Sequence, residues 1–519
     1  MGVGIGVTER ARGVRGAKFL PRVFLWIAVY CLASSGVALC ATIAERETVL
    51  GAVLDAALAD PILAGAAVGV RLEAGDGRVV YERNGDLRLM PASGLKLVTG
   101  GCALDLLGRR FTAVTEVVAD APVVGGVLDG PVYLRGGGDP SLDMAALEAF
   151  ARAIAAAGVR TIRGDVCGDE TLFGADRFGV NWSVQHLERY YAAPVSALSL
   201  NKNVIDFWFL PGPAVGAPAR FRTEPGPGGA YLALENRSVT TSPTDAGEGC
   251  TLYLRRLLWT PRVLLVGTIP VDYQGEFEEA VTVTEPAHFA ASMLHAALGA
   301  AGIAVEGRVD IGTTPVGGRV LAQHSSAPFE VLMQRLLKRS DNHYAELMLR
   351  HLSVSHGDGA GTRADGERVV RDWLARFVCA DPDDVVMADG SGLSRLNLTT
   401  ARVLCGVLQY MQRHKDGRVF RDALSCGGVD GTLHARLLDP PARGMVWGKT
   451  GYIDRVRTIA GYLVVEGEGA VPVFSIQLNH YLAETAEVTR LQDRMVQAMA
   501  AWATGLDAEE IRRAGGRAE

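Results

Sequence analysis

Apolar residues recur at helical spacing from Glu47 to Leu58 and then give way to two alternating runs, Ala64 to Leu72 and Val79 to Glu82. Gly75-Asp76-Gly77 between those runs is a hairpin turn signal. A helix is predicted next, from the Pro91–Ser93 turn to about Leu107, so the chain opens as strand, strand, helix. From about 112 to 285 the pattern changes. Short strand-like runs (Val114 to Val118, Val127 to Leu134, Val204 to Leu210, Leu252 to Leu257, Leu264 to Val266) are separated by Gly- and Pro-rich turns, and one helix, Met144 to Ala157, interrupts them. From about 286 helical periodicity returns, at His288 to Gly302, Phe329 to Lys338, Asp341 to Leu352, Arg368 to Phe377 and Thr400 to Arg413. Three strand-like runs, Met445 to Lys449, Thr458 to Val465 and Val471 to Leu478, precede a last helix at about Glu484 to Trp502, and the charged tail after Asp507 is expected to fray. No internal repeat is visible. Strands at both ends of the helical part must pair across the middle region.

Composition narrows the class. With 519 residues, 48% hydrophobic and 21% charged, the chain is globular and long enough for two or three domains. The net charge of −6 is spread along the chain, and no basic block offers a nucleic-acid surface. The N-terminus reads as an export signal. Arg10, Arg12, Arg15, Lys18 and Arg22 form a basic region, and the apolar run Val23 to Leu39 ends in small residues. Residues 1–44 are read first as a cleaved leader and second as an uncleaved anchor that would associate the protein with a membrane. Cleavage is placed after Cys40, Ala41 or Ala44, and Val37-Ala38-Leu39-Cys40 is a loose lipoprotein box. Six cysteines follow, of which Cys167 and Cys250 are the first pair to test for a disulfide, although buried free thiols are the plainer reading. No Cys-x-x-Cys and no His-Glu-x-x-His occurs, so neither a metal nor another cofactor is expected.

The candidate chemistry starts at Ser93. Lys96 follows one helical turn later on the same face. A serine is a poor nucleophile until a base takes its proton, and a lysine can be that base only when burial or a second cation keeps it neutral. Alone the pair is a weak signal, because an ordinary helix start with a solvated lysine looks the same. A second copy, Ser199-Leu200-Asn201-Lys202, leads into the strand-like run from Val204 to Leu210 and is read as a decoy. Gly136-Gly137-Gly138-Asp139-Pro140 lacks the pattern of a phosphate loop and is read as a turn.

Two further motifs lift Ser93 above that background. Ser340-Asp341-Asn342 stands at a predicted helix start, and Lys449-Thr450-Gly451, followed by Tyr452, at the end of a predicted strand. Ser-x-x-Lys, Ser-Asp-Asn and Lys-Thr-Gly in this order form the set of penicillin-binding proteins and class A β-lactamases. The wider text (Arg88-x-x-Pro91-Ala92-Ser93-x-x-Lys96, Gly137-x-Asp139-Pro140, Ser340-Asp341-Asn342-x-x-Ala345-Glu346, Asp389-Gly390-Ser391-Gly392-Leu393-Ser394-Arg395, Gly428-x-x-Gly431-Thr432-Leu433-x-x-Arg436) resembles the class C low-molecular-mass penicillin-binding proteins, the D-alanyl-D-alanine carboxypeptidase/endopeptidases. The long gap between Lys96 and Ser340 is similar to that family's large insertion.

The resemblance implies an α/β (α+β) transpeptidase-like domain, with an antiparallel sheet flanked by helices, formed by 45–111 and 286–505. A mainly β insert would occupy 112–285, and 506–519 would be a tail. It implies Ser93 as the acylated nucleophile and Lys96 as its base. Ser340 and Asn342 would relay the proton and hold the substrate amide. Lys449 and Thr450 would receive a terminal carboxylate, with Gly451 and Tyr452 beside them, and the backbone N–H groups of Ser93 and Tyr452 would form the oxyanion hole. Tyr452 departs from the small hydroxylated residue more usual there. Asp341 is read as a helix cap, Asp389 and Ser391 as turn-shaping, and His343 as packed or exposed. The implied activity is hydrolysis of D-Ala-D-Ala in peptidoglycan stem peptides, and of D-Ala-diamino-acid cross-links, in the periplasm or another extracytoplasmic space, with β-lactams as covalent inhibitors. Two alternatives stay open. One is a serine β-lactamase or esterase, against which stands the lack of a Glu-x-x-x-Asn segment between Asn342 and Lys449. The other is a wall-binding protein without catalysis.

Overall fold

The computed structural model describes residues 43–516 except 245–248, 258–259, 379–380, 466 and 468. Of the leader read over residues 1–44, residues 1–42 lie outside the described residues, and Ile43 and Ala44 begin a helix. Among the described residues no helix is long and apolar enough to cross a membrane.

The two ends of the chain meet in one antiparallel sheet of six strands. Its order is Val79–Arg83, Ala67–Glu73, Val473–Asn479, Val456–Leu463, Val446–Ile453 and Ser425–Cys426. Ala67–Glu73 pairs in register with Val473–Asn479 along its whole length, from Ala67 opposite Asn479 to Glu73 opposite Val473. Successive residues of a strand point to opposite faces. Phe474, Ile476 and Leu478 therefore enter one core, together with Leu50 and Leu54 of helix 43–58 and Val488, Leu491 and Met495 of helix Thr485–Ala503. Val473, Ala460 and Tyr462 enter the other, covered by helices Lys96–Leu106, Phe329–Leu337, Asn342–His356, Arg363–Trp373 and Ala401–Arg413. A sheet with helices on both faces is the expected architecture. Its strand Val473–Asn479 is buried throughout, although Ser475, Gln477 and Asn479 alternate with its apolar residues.

The inserted region is mainly β, as expected, and carries its own core. Its largest sheet runs Val309–Ile311, Val166–Asp169, Val132–Arg135, Val114–Ala119, Arg319–Ser325. The boundary expected at 285 moves. Helix Pro286–Ala300 buries Phe289, Ala290, Leu294 and Leu298 in the core of the insert, and the strands Val309–Ile311 and Arg319–Ser325 complete its sheet. The chain rejoins the helical layer at Phe329. Helical periodicity shows that a face is buried but not which sheet buries it. The run from Val127 to Leu134 splits into two strands, Val127–Leu128 and Val132–Arg135, in different sheets. The tail is a correction too. Ala508–Gly515 is a helix with an Asp507/Glu510 capping box, and Ile511 is buried against the first core. Cys102, Cys167, Cys250, Cys405 and Cys426 are free thiols, so Cys167 and Cys250 are not bonded to each other.

Candidate active site

The Ser93 turn is built at the junction of sheet and helices. Ala92–Leu95 forms a 3-10 turn that runs directly into helix Lys96–Leu106. Ala92 has φ +45°, a left-handed conformation that a non-glycine residue keeps only when its surroundings fix it. Those surroundings are hydrogen bonds. Asn479 Oδ1 accepts from Met90 N at 2.8 Å, Thr458 Oγ1 donates to Pro91 O at 2.8 Å, and Leu89 and Thr399 exchange backbone bonds of 2.9 Å. Gly392 (φ +85°) crosses so closely that a Cβ there would lie 1.9 Å from Ala92 O. Gly451 lies equally close, since its Cβ would meet Thr458 Oγ1 at 2.2 Å and Pro91 O at 2.6 Å. The third motif thus ends in glycine so that its strand can pass against the Ser93 turn.

Helix Asn342–His356 starts beside that turn. Asp341 caps it, its Oδ1 accepting from His343 N at 3.1 Å, the cap role read from sequence. Ser340, just outside the helix, has φ +60°. Lys96 Nζ donates to Ser93 Oγ at 3.0 Å, to Asn342 Oδ1 at 2.7 Å and to the Ser391 carbonyl at 2.7 Å. Lys449 Nζ donates to Ser340 Oγ at 2.8 Å and to Thr450 O at 2.7 Å. Thr450 Oγ1 donates to Thr432 Oγ1 at 2.7 Å, and Tyr452, two residues on, is about half exposed at 53% with Arg457 over its ring. Of the eight residues singled out from sequence, Ser93, Lys96 and Asn342 form one hydrogen-bonded group and Ser340, Lys449 and Thr450 another. Gly451 packs against the Ser93 turn, and Tyr452 lies beyond it.

Both lysines are fully buried. Burial pulls Lys96 down to about 8, against the carboxylates of Asp389, Glu346 and Asp341, which hold it up. Lys449 is pushed well below the ordinary lysine value, by burial first and by Lys96 second, and among the described residues no carboxylate offsets the shift. The sequence reading asks for burial or a second cation to keep a lysine neutral, and both act on Lys449.

Several residues at the site had no role in the sequence reading. The insert reaches into it. Asn342 Nδ2 donates to the Tyr191 carbonyl at 2.8 Å, Trp182 Nε1 donates to Asp389 Oδ2 at 2.8 Å, and Lys202 pairs with Asp341 at 3.5 Å. Asp389 is wholly buried and also accepts from Gly392 N, Ser394 N and Asn397 Nδ2, which bears out its turn-shaping role. Ser199, of the second Ser-x-x-Lys, spends its hydroxyl on the Ser196 carbonyl and on Asn203, far from the role of a nucleophile. His343 is buried, and burial lowers it to about 4. Glu346, four residues after Asn342, was legible only as a letter of the motif.

A six-stranded antiparallel sheet with helices on both faces, a Ser-x-x-Lys turn under one of its strands and a large insert after it, defines the penicillin-recognising serine peptidase class. Comparison with known proteins agrees. Residues 50–502 match the model of the "D-Ala-D-Ala carboxypeptidase 3 (S13) family". The chain is 33% identical to a D-alanyl-D-alanine carboxypeptidase of Actinomadura sp. (strain R39) over 492 residues, covering 92% of this chain and 88% of that protein. In fold it is similar to the crystal structure of penicillin binding protein 4 (dacB) from Haemophilus influenzae, with a TM-score of 0.73 at 24% identity over 84% of this chain and 97% of that one. That protein is also known in complex with a novel β-lactam, a structure to which this chain has a TM-score of 0.67 at 22% identity over 84% of this chain and 96% of that one. The chain belongs to the D-Ala-D-Ala carboxypeptidase 3 (S13) family, the low-molecular-mass class C penicillin-binding proteins, and is a serine-type carboxypeptidase.

Proposed function

We propose that this carboxypeptidase hydrolyses peptidoglycan stem peptides ending in D-Ala-D-Ala through an acyl-enzyme on Ser93. The observation that carries the assignment is the bond from Lys96 Nζ to Ser93 Oγ at 3.0 Å, made inside a site where burial brings that amine to about 8. Neutral Lys96 takes the Ser93 proton as Oγ attacks the carbonyl of the penultimate D-Ala. The tetrahedral oxyanion is received by the backbone N–H groups of Ser93 and Tyr452. The proton taken by Lys96 is relayed through Ser340, which is bonded to Lys449, to the leaving D-Ala amine, while Asn342 holds the substrate amide. Water then attacks the ester as neutral Lys96 takes its proton, and Lys96 returns that proton to Ser93 Oγ as the shortened peptide leaves.

Lys449 and Thr450 receive the terminal carboxylate of the substrate. That carboxylate supplies the counter-charge Lys449 lacks, so Lys449 gains its proton when substrate binds. The new cation in turn repels a proton on Lys96 and favours the basic form of the amine that must act. Tyr452 is exposed beside these groups, and Asn342 is bonded to Tyr191 of the insert, so both parts of the chain stand next to the bound substrate in this reading. A β-lactam, with its carboxylate and strained amide, uses the same groups and leaves a stable ester on Ser93. The enzyme works outside the cytoplasm, delivered by the leader in 1–44, which remains a membrane anchor if it is not cleaved. Residues 112 to about 328 form the insert and the rest of the folded chain the catalytic domain. Endopeptidase activity on D-Ala-diamino-acid cross-links is part of the proposal.

The test is the intact mass of the protein after brief exposure to benzylpenicillin, with Ser93→Ala as control. A one-to-one adduct that the variant lacks supports the assignment. Rapid release of hydrolysed drug without an adduct points to a β-lactamase, and an adduct that survives Ser93→Ala overturns the role of Ser93.

A further inference from the structure

Helix Asn342–His356 meets the Lys96 amine twice. Asn342 does so directly, at 2.7 Å. One turn later on the same face, Glu346 does so through the backbone of a loop. Glu346 Oε1 accepts from Ser391 N at 2.8 Å and from Gly390 N at 3.0 Å, with Oε2 3.2 Å from Gly390 N. The carbonyl of that same Ser391 accepts from Lys96 Nζ at 2.7 Å. The loop has little freedom to move by itself. A Cβ on Gly390 would lie 2.9 Å from Ala345 O, and one on Gly392 1.9 Å from Ala92 O, so the loop is wedged between the Ser-Asp-Asn helix and the nucleophile turn.

Glu346 is 1% exposed. A carboxylate so buried is costly unless paired and hydrogen-bonded. The charged groups around it are Arg350, one turn further along its own helix, Asp389 in the loop, and Lys96 on the neighbouring helix. Arg350 is itself buried and is held by Asp176, its NH2 group 2.8 Å from the Asp176 carbonyl and 3.3 Å from the carboxylate. A neutral glutamine would satisfy two backbone N–H donors nearly as well, so the hydrogen bonds alone do not account for a charge in this place.

We propose that Glu346 is a positioning residue of the reaction: through Gly390 and Ser391 it holds the Ser391 carbonyl against Lys96, and its negative charge sets the proton affinity of that amine. The inference rests on the assignment of Lys96 as base. Burial, with Asp389 beside it, pushes Glu346 up to about 7 against the pull of Arg350, so the carboxylate is charged where Lys96 titrates, near 8.

The experiment is the second-order rate of acylation by benzylpenicillin between pH 5.5 and 9.5 for the wild type, Glu346→Gln and Glu346→Asp. Removing the charge makes Lys96 release its proton more readily, so the acid limb of the Glu346→Gln profile should move down by about 1 pH unit. Glu346→Asp keeps the charge but draws back the carboxylate. It should leave the limb where it is and lower the plateau by about tenfold. A Glu346→Gln limb at the wild-type pH overturns the proposal, as does a Glu346→Asp profile equal to wild type at every pH. Hydrogen–deuterium exchange of the wild type covers the case in which neither variant folds. Protection of the Gly390 and Ser391 amides, corrected for intrinsic rate, should fall between pH 8 and pH 5.5 as Glu346 takes up a proton, and unchanged protection overturns the proposal. If Ser93→Ala still forms the adduct, the underlying assignment has failed. If Ser93→Ala is inert while the Gln limb stays put, only the role of Glu346 has failed.

Discussion

Lys96 and Asn342 stand 246 positions apart in the chain and are joined by a 2.7 Å hydrogen bond in the interior. Asn342 spends its other polar atom on the Tyr191 carbonyl of the insert. One side chain therefore ties Lys96, the Ser-Asp-Asn helix and the insert together. Asn342→Ala leaves a buried amine and a carbonyl each short of a partner, at a cost of about 1–3 kcal/mol. Acylation by benzylpenicillin should slow about tenfold to a hundredfold, with a lower thermal midpoint. A variant that acylates at the wild-type rate would remove Asn342 from the working site.

The pH profile follows from the burial of Lys96. The amine is basic only when neutral and titrates at about 8, so acylation should fall about tenfold per unit as pH drops below that value. The same group couples to folding with a definite sign. The folded state holds this proton less tightly than the unfolded chain does. The penalty is therefore complete below about 8, shrinks as pH rises, and is gone above 10.5, the ordinary lysine value. A rate that stays flat from pH 6 to 9 would mean another group is the base.

Trp182 tests how firmly the insert grips the Asp389 loop. Its indole N–H bonds buried Asp389, which keeps three other donors, and its ring packs edge-on to Phe178 at 6.3 Å. Trp182→Phe keeps an aromatic ring and loses the donor. The expected cost is about 1.5–3 kcal/mol, the range for hydrogen bonds to a charged group, read as a lower thermal midpoint. An unchanged midpoint would show that the insert rests on the loop without holding it.

Gly451→Ala should be among the most damaging single-methyl changes in the chain. The added carbon would meet Thr458 Oγ1 at 2.2 Å and Pro91 O at 2.6 Å, and Thr458 already holds Pro91. Overpacking of this kind costs about 1–3 kcal/mol, and because the strain falls on the turn that carries Ser93, acylation should fall with stability. A stable, fully active alanine variant would contradict the close packing of strand and turn.

Lys202→Ala makes the contrast. Its pair with Asp341 is 3.5 Å long and the lysine is partly exposed, so the pair is worth under about 1 kcal/mol. Acylation should stay within about threefold of wild type. A loss as large as that of Ser93→Ala would mean the second Ser-x-x-Lys is no decoy.

Local sequence determined much of this protein. The alternation of apolar and polar residues in Ala67–Glu73 and in Phe474–Asn479 marks strands because successive residues of a pleated strand face opposite sides of the sheet. Asp341 reads as a cap because a short carboxylate satisfies an orphan N–H at a helix start. Ser93, Lys96, Ser340, Asn342 and Lys449 could be picked out because each motif keeps its chemistry within three or four residues. Tertiary structure alone decided what those motifs meet. Periodicity shows that helix Pro286–Ala300 buries a face, yet only packing assigns that face to the insert. Glu346, Trp182 and Tyr191 act on groups 44, 207 and 151 positions away through backbone atoms or a shared carboxylate, and composition carries no trace of such partners. The proton affinities of Lys96 and Lys449 were also undecided, since they depend on burial and on which charges the fold brings near, and both are properties of three-dimensional neighbours.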